Sequence, residues 1–174
     1  PITSAGTRRS GMTWTTGAAL SEQTSNVAGF ESFRGSTPID VTVTYSGGPY
    51  WGKDSSTRKA TADLQWDVML GSNKEKPGGV INDFMDMGIS VIHCMAMLVK
   101  QEQGQFLMIA NGGRDAEHLI LANRLKSFLD AKPTNYPILY MCFGQEVNSG
   151  SYPWAYTNNV NTDAHYVSAY RRIA

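Results

Sequence analysis

Apolar positions recur along this chain with two different periods. Residues 12–18 (MTWTTGA) and 39–45 (IDVTVTY) are short runs rich in β-branched and aromatic residues, each closed by polar sequence containing Gly. Such runs predict strands, the second with Val and Thr on alternate faces. Between them Val27, Phe30 and Phe33 recur at helical spacing and Gly35 follows at once, the residue type that lets a helix stop in a left-handed conformation. A short helix is predicted there. The mixed apolar pattern of Ala62, Leu64, Trp66, Val68, Met69 and Leu70 predicts a further helix, followed by the loop GSNKEKPGG at 71–79. Residues 80–87 (VINDFMDM) read as one or two helical turns ending at Gly88, and 89–99 (ISVIHCMAMLV) as a strand covered on both faces.

The helix with the strongest sequence signal is Asp115–Leu129, with Leu119, Ala122, Leu125 and Leu129 expected on its buried face, an acidic start, and Arg124 and Lys126 toward its end. Pro133 stops it. Residues 137–143 (PILYMCF) predict a second buried strand, and a last helix is expected from about Thr162, with Tyr166, Tyr170 and Ile173 stacked. The sum is strand then helix four times over, which predicts an α/β fold of parallel strands joined by crossover helices. No repeat or linker divides the sequence, so residues 1–174 are expected to form one domain. A closed (β/α)8 barrel of the TIM type needs about 250 residues, so the chain is expected to supply its first half, strands one to four. Two unpaired edges would remain, and a half-barrel can bury them against another copy of itself.

Composition narrows the partners. The chain has a formal net charge of zero, is 41% hydrophobic and 17% charged, and so carries no electrostatic pull toward nucleic acid or an anionic membrane. The longest apolar stretch, residues 91–99, is far too short for a bilayer span. The first residues, PITSAGTRRSGMTW, lack the pattern of a signal peptide, which leaves the compartment open. Cys94 and Cys142 both lie in apolar runs and read as small buried hydrophobes, and with three scattered histidines they form no metal-ligand spacing. No metal and no cofactor is predicted. Asn111-Gly112-Gly113 lacks the Lys and Ser/Thr of a phosphate-binding loop and is expected to be a plain turn with a helix cap.

In a parallel α/β architecture the ligand lies beyond the carboxyl ends of the strands, so the first polar residues after each apolar run matter most. Glu146 follows PILYMCFGQ and is flanked by Gln145, Asn148, Tyr152 and Trp154. A carboxyl group at that rim, screened by aromatic rings, can have its pKa raised enough to act as a general acid near neutral pH. A solvated loop glutamate is the plainer alternative. Four Trp and eight Tyr, several set among Gly, Ser and Asn, suggest a stacking surface; Trp14, Tyr45, Tyr50 and Trp51 fall at or after strand ends and are candidates to line it. His93, inside the third strand, is either a hydrogen-bonded core residue or an inward side chain that reaches the same mouth.

At these residues the sequence resembles family 26 glycoside hydrolases, the β-mannanase type of retaining (β/α)8-barrel enzymes. The likeness is carried, in order, by TWTTGAA, FESFRGSTPIDVTVTYSG, Trp51, IANGGRDAEHLILANRL, ILYMCFGQEVNSGSYPWAY and YVSAYRRI. The resemblance implies that Glu146 is the general acid/base, that Asn148 faces substrate, and that Tyr152 and Trp154 form an aromatic platform, with Trp14, Trp51, His93 and Gln145 as further substrate-binding candidates. It also implies double displacement, in which one carboxylic acid protonates the glycosidic oxygen and a second carboxylate attacks the anomeric carbon.

The resemblance places that nucleophile on a later strand, about the seventh, which these 174 residues do not contain. Glu102 is the lone strand-end candidate here, and no motif surrounds it. Gln145 stands where mannanases typically have histidine, which changes the surroundings of Glu146 and the expected glycan. The expectation is therefore half of a secreted glycoside hydrolase acting on a β-linked polysaccharide of mannan or glucan type. The alternatives are a non-catalytic carbohydrate-binding or self-assembling half-barrel and, more remotely, a small doubly wound nucleotide-binding protein, which the missing Gly-rich fingerprint disfavours.

Overall fold

A computed structural model of the chain describes residues 9–12, 15–20, 23–46, 79–95, 105–144 and 162–173. The helix expected within 52–70 lies outside them. Four strands form one parallel sheet in the order β1 (Gly17–Ala19), β2 (Val41–Ser46), β3 (Ser90–Met95), β4 (Leu139–Phe143). The helices are α1 (Ser25–Phe33), α2 (Val80–Asp86), α3 (Gln105–Ala110), α4 (Asp115–Asp130) and α5 (Asp163–Ile173). The described residues fall into two compact units, one within Pro1–Tyr45, Trp66–Cys94 and Lys132–Met141, the other within Ser46–Gln65, Met95–Ala131 and Cys142–Ala174. No described helix is long and apolar enough to cross a membrane.

The first unit is built around the start of the sheet. β1 pairs with β2 in the register Gly17↔Val41, and the approach is so close that a Cβ on Gly17 would lie 2.4 Å from Val41 Cγ1 and 2.5 Å from its carbonyl oxygen. Only glycine fits there. On β2 the alternation is visible as burial, with Asp40, Thr42 and Thr44 buried and Val41 and Val43 part-buried. α1 buries Val27 but leaves Phe33 87% exposed. The reason is rotational: six residues at 100° each carry Phe33 about 120° around the helix from Val27, so a spacing of three followed by three does not hold one face. Gly35 (φ 70°) ends α1 as expected, in a Schellman arrangement in which Ser36 N–H donates to Glu31 O (2.7 Å) and Gly35 N–H to Ser32 O. α2 buries Ile81, Phe84 and Met85, the one-face spacing of a short amphipathic helix, and Ile89 continues that core into β3.

β3 fits a strand covered on both faces toward its end, since His93, Cys94 and Met95 are all buried. β4 does not. Among the described strands it lies at the sheet edge, with Tyr140 50% exposed and Leu139, Met141, Cys142 and Phe143 only part-buried. Cys142 is accordingly half-covered, while Cys94 is buried.

In the second unit, α3 packs on α5, and Phe106, Ile109, Leu121 and Ala169 are buried. α4 corrects the expected buried face: Leu119, Ala122 and Leu129 are exposed, and the helix turns Leu121, Leu125 and Phe128 inward. Residues 119–122 are four apolar residues in succession and wrap most of the helix circumference, so spacing alone picks no side. The Asn111–Gly113 turn is present, but α4 has no side-chain N-cap; instead Asp115, at its first position, holds the Arg172 guanidinium through two hydrogen bonds (2.7 and 2.5 Å).

Gly17→Ala is expected to destabilise the protein by about 1–3 kcal/mol through overpacking against Val41. Gly29→Ala, in the interior of α1 where an added Cβ meets nothing within 4 Å, should stabilise it by about 0.5–1 kcal/mol. Urea unfolding of both variants checks the contrast.

Candidate functional site

Of the residues singled out from the sequence, His93 and Tyr45 are described. Trp14, Tyr50, Trp51, Glu102, Gln145, Glu146, Asn148, Tyr152 and Trp154 lie outside the described residues. The site is therefore built from what the strands present toward their carboxyl ends, where β2, β3 and β4 finish at Ser46, Met95 and Phe143.

His93 on β3 is fully buried, and its Nδ1 lies 2.8 Å from Thr44 Oγ1 on β2, which is buried as well. Burial pushes the imidazole down to about 4, because the charged form loses its hydration. Near neutral pH the ring is thus neutral and can donate from one nitrogen while accepting at the other. One step back along β2, Thr42 donates its hydroxyl to Ala18 O at 2.9 Å, so the hydroxyls of both buried threonines of β2 are hydrogen-bonded. Tyr45, next in sequence, is 51% exposed.

The end of β4 is held by aromatic packing. Tyr166 and Tyr170, one turn apart on α5, meet Phe143 in two ways: the Tyr166 hydroxyl donates to the Phe143 carbonyl (3.3 Å), and the Tyr170 ring stands edge-on to the Phe143 ring with centroids 6.4 Å apart. Tyr166 also packs edge-on against the fully buried Phe106 of α3, at 5.4 Å. Burial raises the Tyr166 phenol, which keeps it protonated as a donor. Immediately after Phe143, Gly144 (φ 66°) donates its N–H to Met95 O on β3 at 2.8 Å.

Two acidic residues to which the sequence assigned no role prove to organise the opposite, amino end of the sheet. Asp40 is buried just before β2 and accepts four hydrogen bonds, from Ser10 N–H (2.7 Å), Ser10 Oγ (2.6 Å), Thr16 N–H (2.9 Å) and Thr16 Oγ1 (3.2 Å). Burial alone would raise this carboxyl, but those donors outweigh it and hold it below the usual range. Glu31 on α1 is likewise raised by burial and lowered further by Arg9 and by the Ile39 N–H, which it accepts at 2.9 Å. Both carboxylates are saturated with donors and have structural roles. The one sequence signal for Asp40 is an acid beside an apolar strand start, which also describes many solvated residues.

A third polar group ties α2 to the loop before β4: the Tyr136 hydroxyl donates to Asp86, Lys132 donates to Asn82, and the Lys132 ammonium lies 4.6 Å from the Tyr136 ring centroid. Among the described residues no group of three or more His, Cys, Asp or Glu could hold a metal ion.

The chain matches no family model, and no curated protein or solved structure is significantly similar to it.

The state of His93 has a measurable consequence. Its folded pKa lies below its unfolded value near 6.5, so the unfolded chain binds the extra proton as pH falls through the window from about 6.5 to about 4. Stability is full above that window and falls within it, by about 1 kcal/mol per pH unit at most. Urea midpoints between pH 7 and 4.5 should show this slope, and His93→Gln, though destabilised at pH 7, should flatten it; an unchanged slope would refute a buried neutral His93.

Proposed function

We propose that this protein is the first half of a (β/α)8-barrel glycoside hydrolase that acts on a β-linked polysaccharide outside the cell, with Glu146 as its general acid/base. The observation that carries this reading is the strand order. Four parallel strands are added in one direction, β1-β2-β3-β4, with no reversal. Doubly wound nucleotide-binding sheets reverse beside their first strand, and their ligand crevice forms at that reversal. Right-handed crossovers that always step the same way put every connecting helix on one face, and such a sheet covers its other face by curling into a barrel. The half-exposed edge strand β4 is where a fifth strand would pair.

Two further features support the reading. Glu146 follows the last residue of β4 by three positions in sequence, and barrel enzymes keep their chemistry after the carboxyl ends of their strands. The polar pair Thr44–His93 lies buried near the carboxyl ends of its strands, where a neutral imidazole can orient a neighbouring side chain. In the reaction, the protonated carboxyl of Glu146 gives its proton to the glycosidic oxygen as the bond to the anomeric carbon breaks. A carboxylate from a later strand takes that carbon, and Glu146, now ionised, deprotonates the water that releases the sugar. Gln145, Asn148, Trp14, Trp51, Tyr152 and Trp154 would hold the glycan by amide hydrogen bonds and ring stacking.

The test is hydrolysis of mannan, mixed-linkage glucan and xylan by a form of the protein carried through the later strands. Glu146→Gln should lower kcat on the polysaccharide by about 10²–10⁴-fold, and far less on an aryl glycoside whose phenolate leaves without protonation. The 174-residue chain alone should turn over none of them. Turnover that survives Glu146→Gln, or an extended chain inert on every β-glycan, would overturn the assignment; in the second case a defined oligomer of the 174-residue chain would favour the self-assembling half-barrel.

A further inference from the structure

Two neighbouring strands set a hydroxyl and an imidazole side by side in the interior. Asp40 O accepts from Ser90 N–H (2.8 Å), and the parallel ladder that starts there brings Thr42 beside Val91 and Thr44 beside His93 on one face, all four fully buried. Thr44 Oγ1 lies 2.8 Å from His93 Nδ1, which is the one hydrogen-bond partner of this hydroxyl among the described residues. A β-branched side chain has few rotamers, so Oγ1 is fixed while its hydrogen turns to suit the partner. Two arrangements are open to the pair. In the first the hydroxyl donates to Nδ1, and the neutral ring carries its proton on Nε2. In the second Nδ1–H donates to the hydroxyl, whose own hydrogen is then buried without an acceptor. A buried donor left unmade costs more than an idle lone pair on an oxygen that already has a partner, so the first arrangement wins.

We propose that Thr44 is a positioning residue that locks His93 in its Nε2–H tautomer, so that this imidazole serves as a fixed hydrogen-bond donor and not as a base. The unmade hydroxyl of the reverse arrangement favours Nε2–H by about tenfold or more. A ring so held has its one lone pair committed to Thr44, and what it offers its surroundings is an N–H suited to an oxygen acceptor. The tautomer follows from β2 and β3 alone and does not rest on the glycosidase reading. Within that reading it gives His93 the task of orienting a neighbouring oxygen and leaves the proton transfers to carboxyl groups.

The experiment is the imidazole nitrogen NMR spectrum of the isotopically labelled 174-residue chain near neutral pH, in which a ring nitrogen without a proton resonates far downfield of one that carries it. The chain has three histidines, and His93 is assigned as the ring missing from His93→Gln. Wild type and Thr44→Ser, which keeps the hydroxyl, should both show Nδ1 at the unprotonated position and Nε2 at the protonated one. Thr44→Val keeps the shape of the side chain and removes the donor. Its two resonances should move toward each other as the Nδ1–H form rises from less than about one part in ten to a comparable share. Thr44→Ala serves the same purpose if the valine variant fails to fold. A wild-type spectrum with the proton on Nδ1 overturns the proposal. So does a valine or alanine variant whose resonances stay where wild type has them, because something other than Thr44 would then set the tautomer. No glycan hydrolysis enters the measurement, so its failure and that of the glycosidase assignment are told apart.

Discussion

The sheet depends on one buried carboxylate. Asp40 stands at the start of β2, and its two oxygens collect four donors from Ser10 and Thr16, while its own N–H donates to Thr16 O and its carbonyl accepts from Ser90 N–H of β3. A single residue thus joins the segment before β1, the start of β2 and the start of β3. Glu31 and Arg9 brace the same corner from α1, through the Ile39 backbone. An ionised group in such a place would be costly without partners, and with four of them it becomes a fixed reference point for register. Because a one-residue slip turns every side chain of a strand to the other face, that fixed start decides that Thr42 and Thr44 share the face that meets His93.

The two ends of the sheet divide the labour. At the amino end, acidic residues are saturated with hydrogen bonds and carry stability. At the carboxyl end, the groups held in place are of another kind: a neutral imidazole paired with a threonine, and a peptide plane gripped between a tyrosine hydroxyl and a neighbouring strand. In a parallel sheet every strand delivers its following loop to the same side, so the two ends present different groups.

Much of this was legible in the sequence, and the failures have physical reasons. The alternation in IDVTVTY, the Gly35 stop, the VINDFMDM turns and the placing of α4 and α5 all reflect local rules that tertiary contacts reinforced. α3 escaped notice because five of its six residues, 106–110, are apolar in succession, so over less than two turns no spacing marks a face. β4 looked buried because PILYMCF is apolar throughout, yet an edge position leaves Tyr140 half in solvent. The inward face of α4 was misplaced because its apolar residues surround the helix. Asp40 and Glu31 were passed over because the hydrogen bonds that define them come from Arg9, Ser10, Thr16 and Ile39, and spacing does not report such partners. Of the candidate site, His93 could be located but not oriented from sequence. The grip of Tyr166 on Phe143 joins residues 23 apart and leaves no local pattern.

The most direct test of this account is equilibrium unfolding of Asp40→Asn at neutral pH, with amide exchange read at β1 and β2. An amide turns one acceptor into a donor that faces the Ser10 and Thr16 donors, so the expected result is a loss of about 3 kcal/mol together with faster exchange at Gly17–Ala19 and at the first residues of β2. A variant within about 0.5 kcal/mol of wild type, with β1 still protected, would show that the sheet does not rest on this carboxylate.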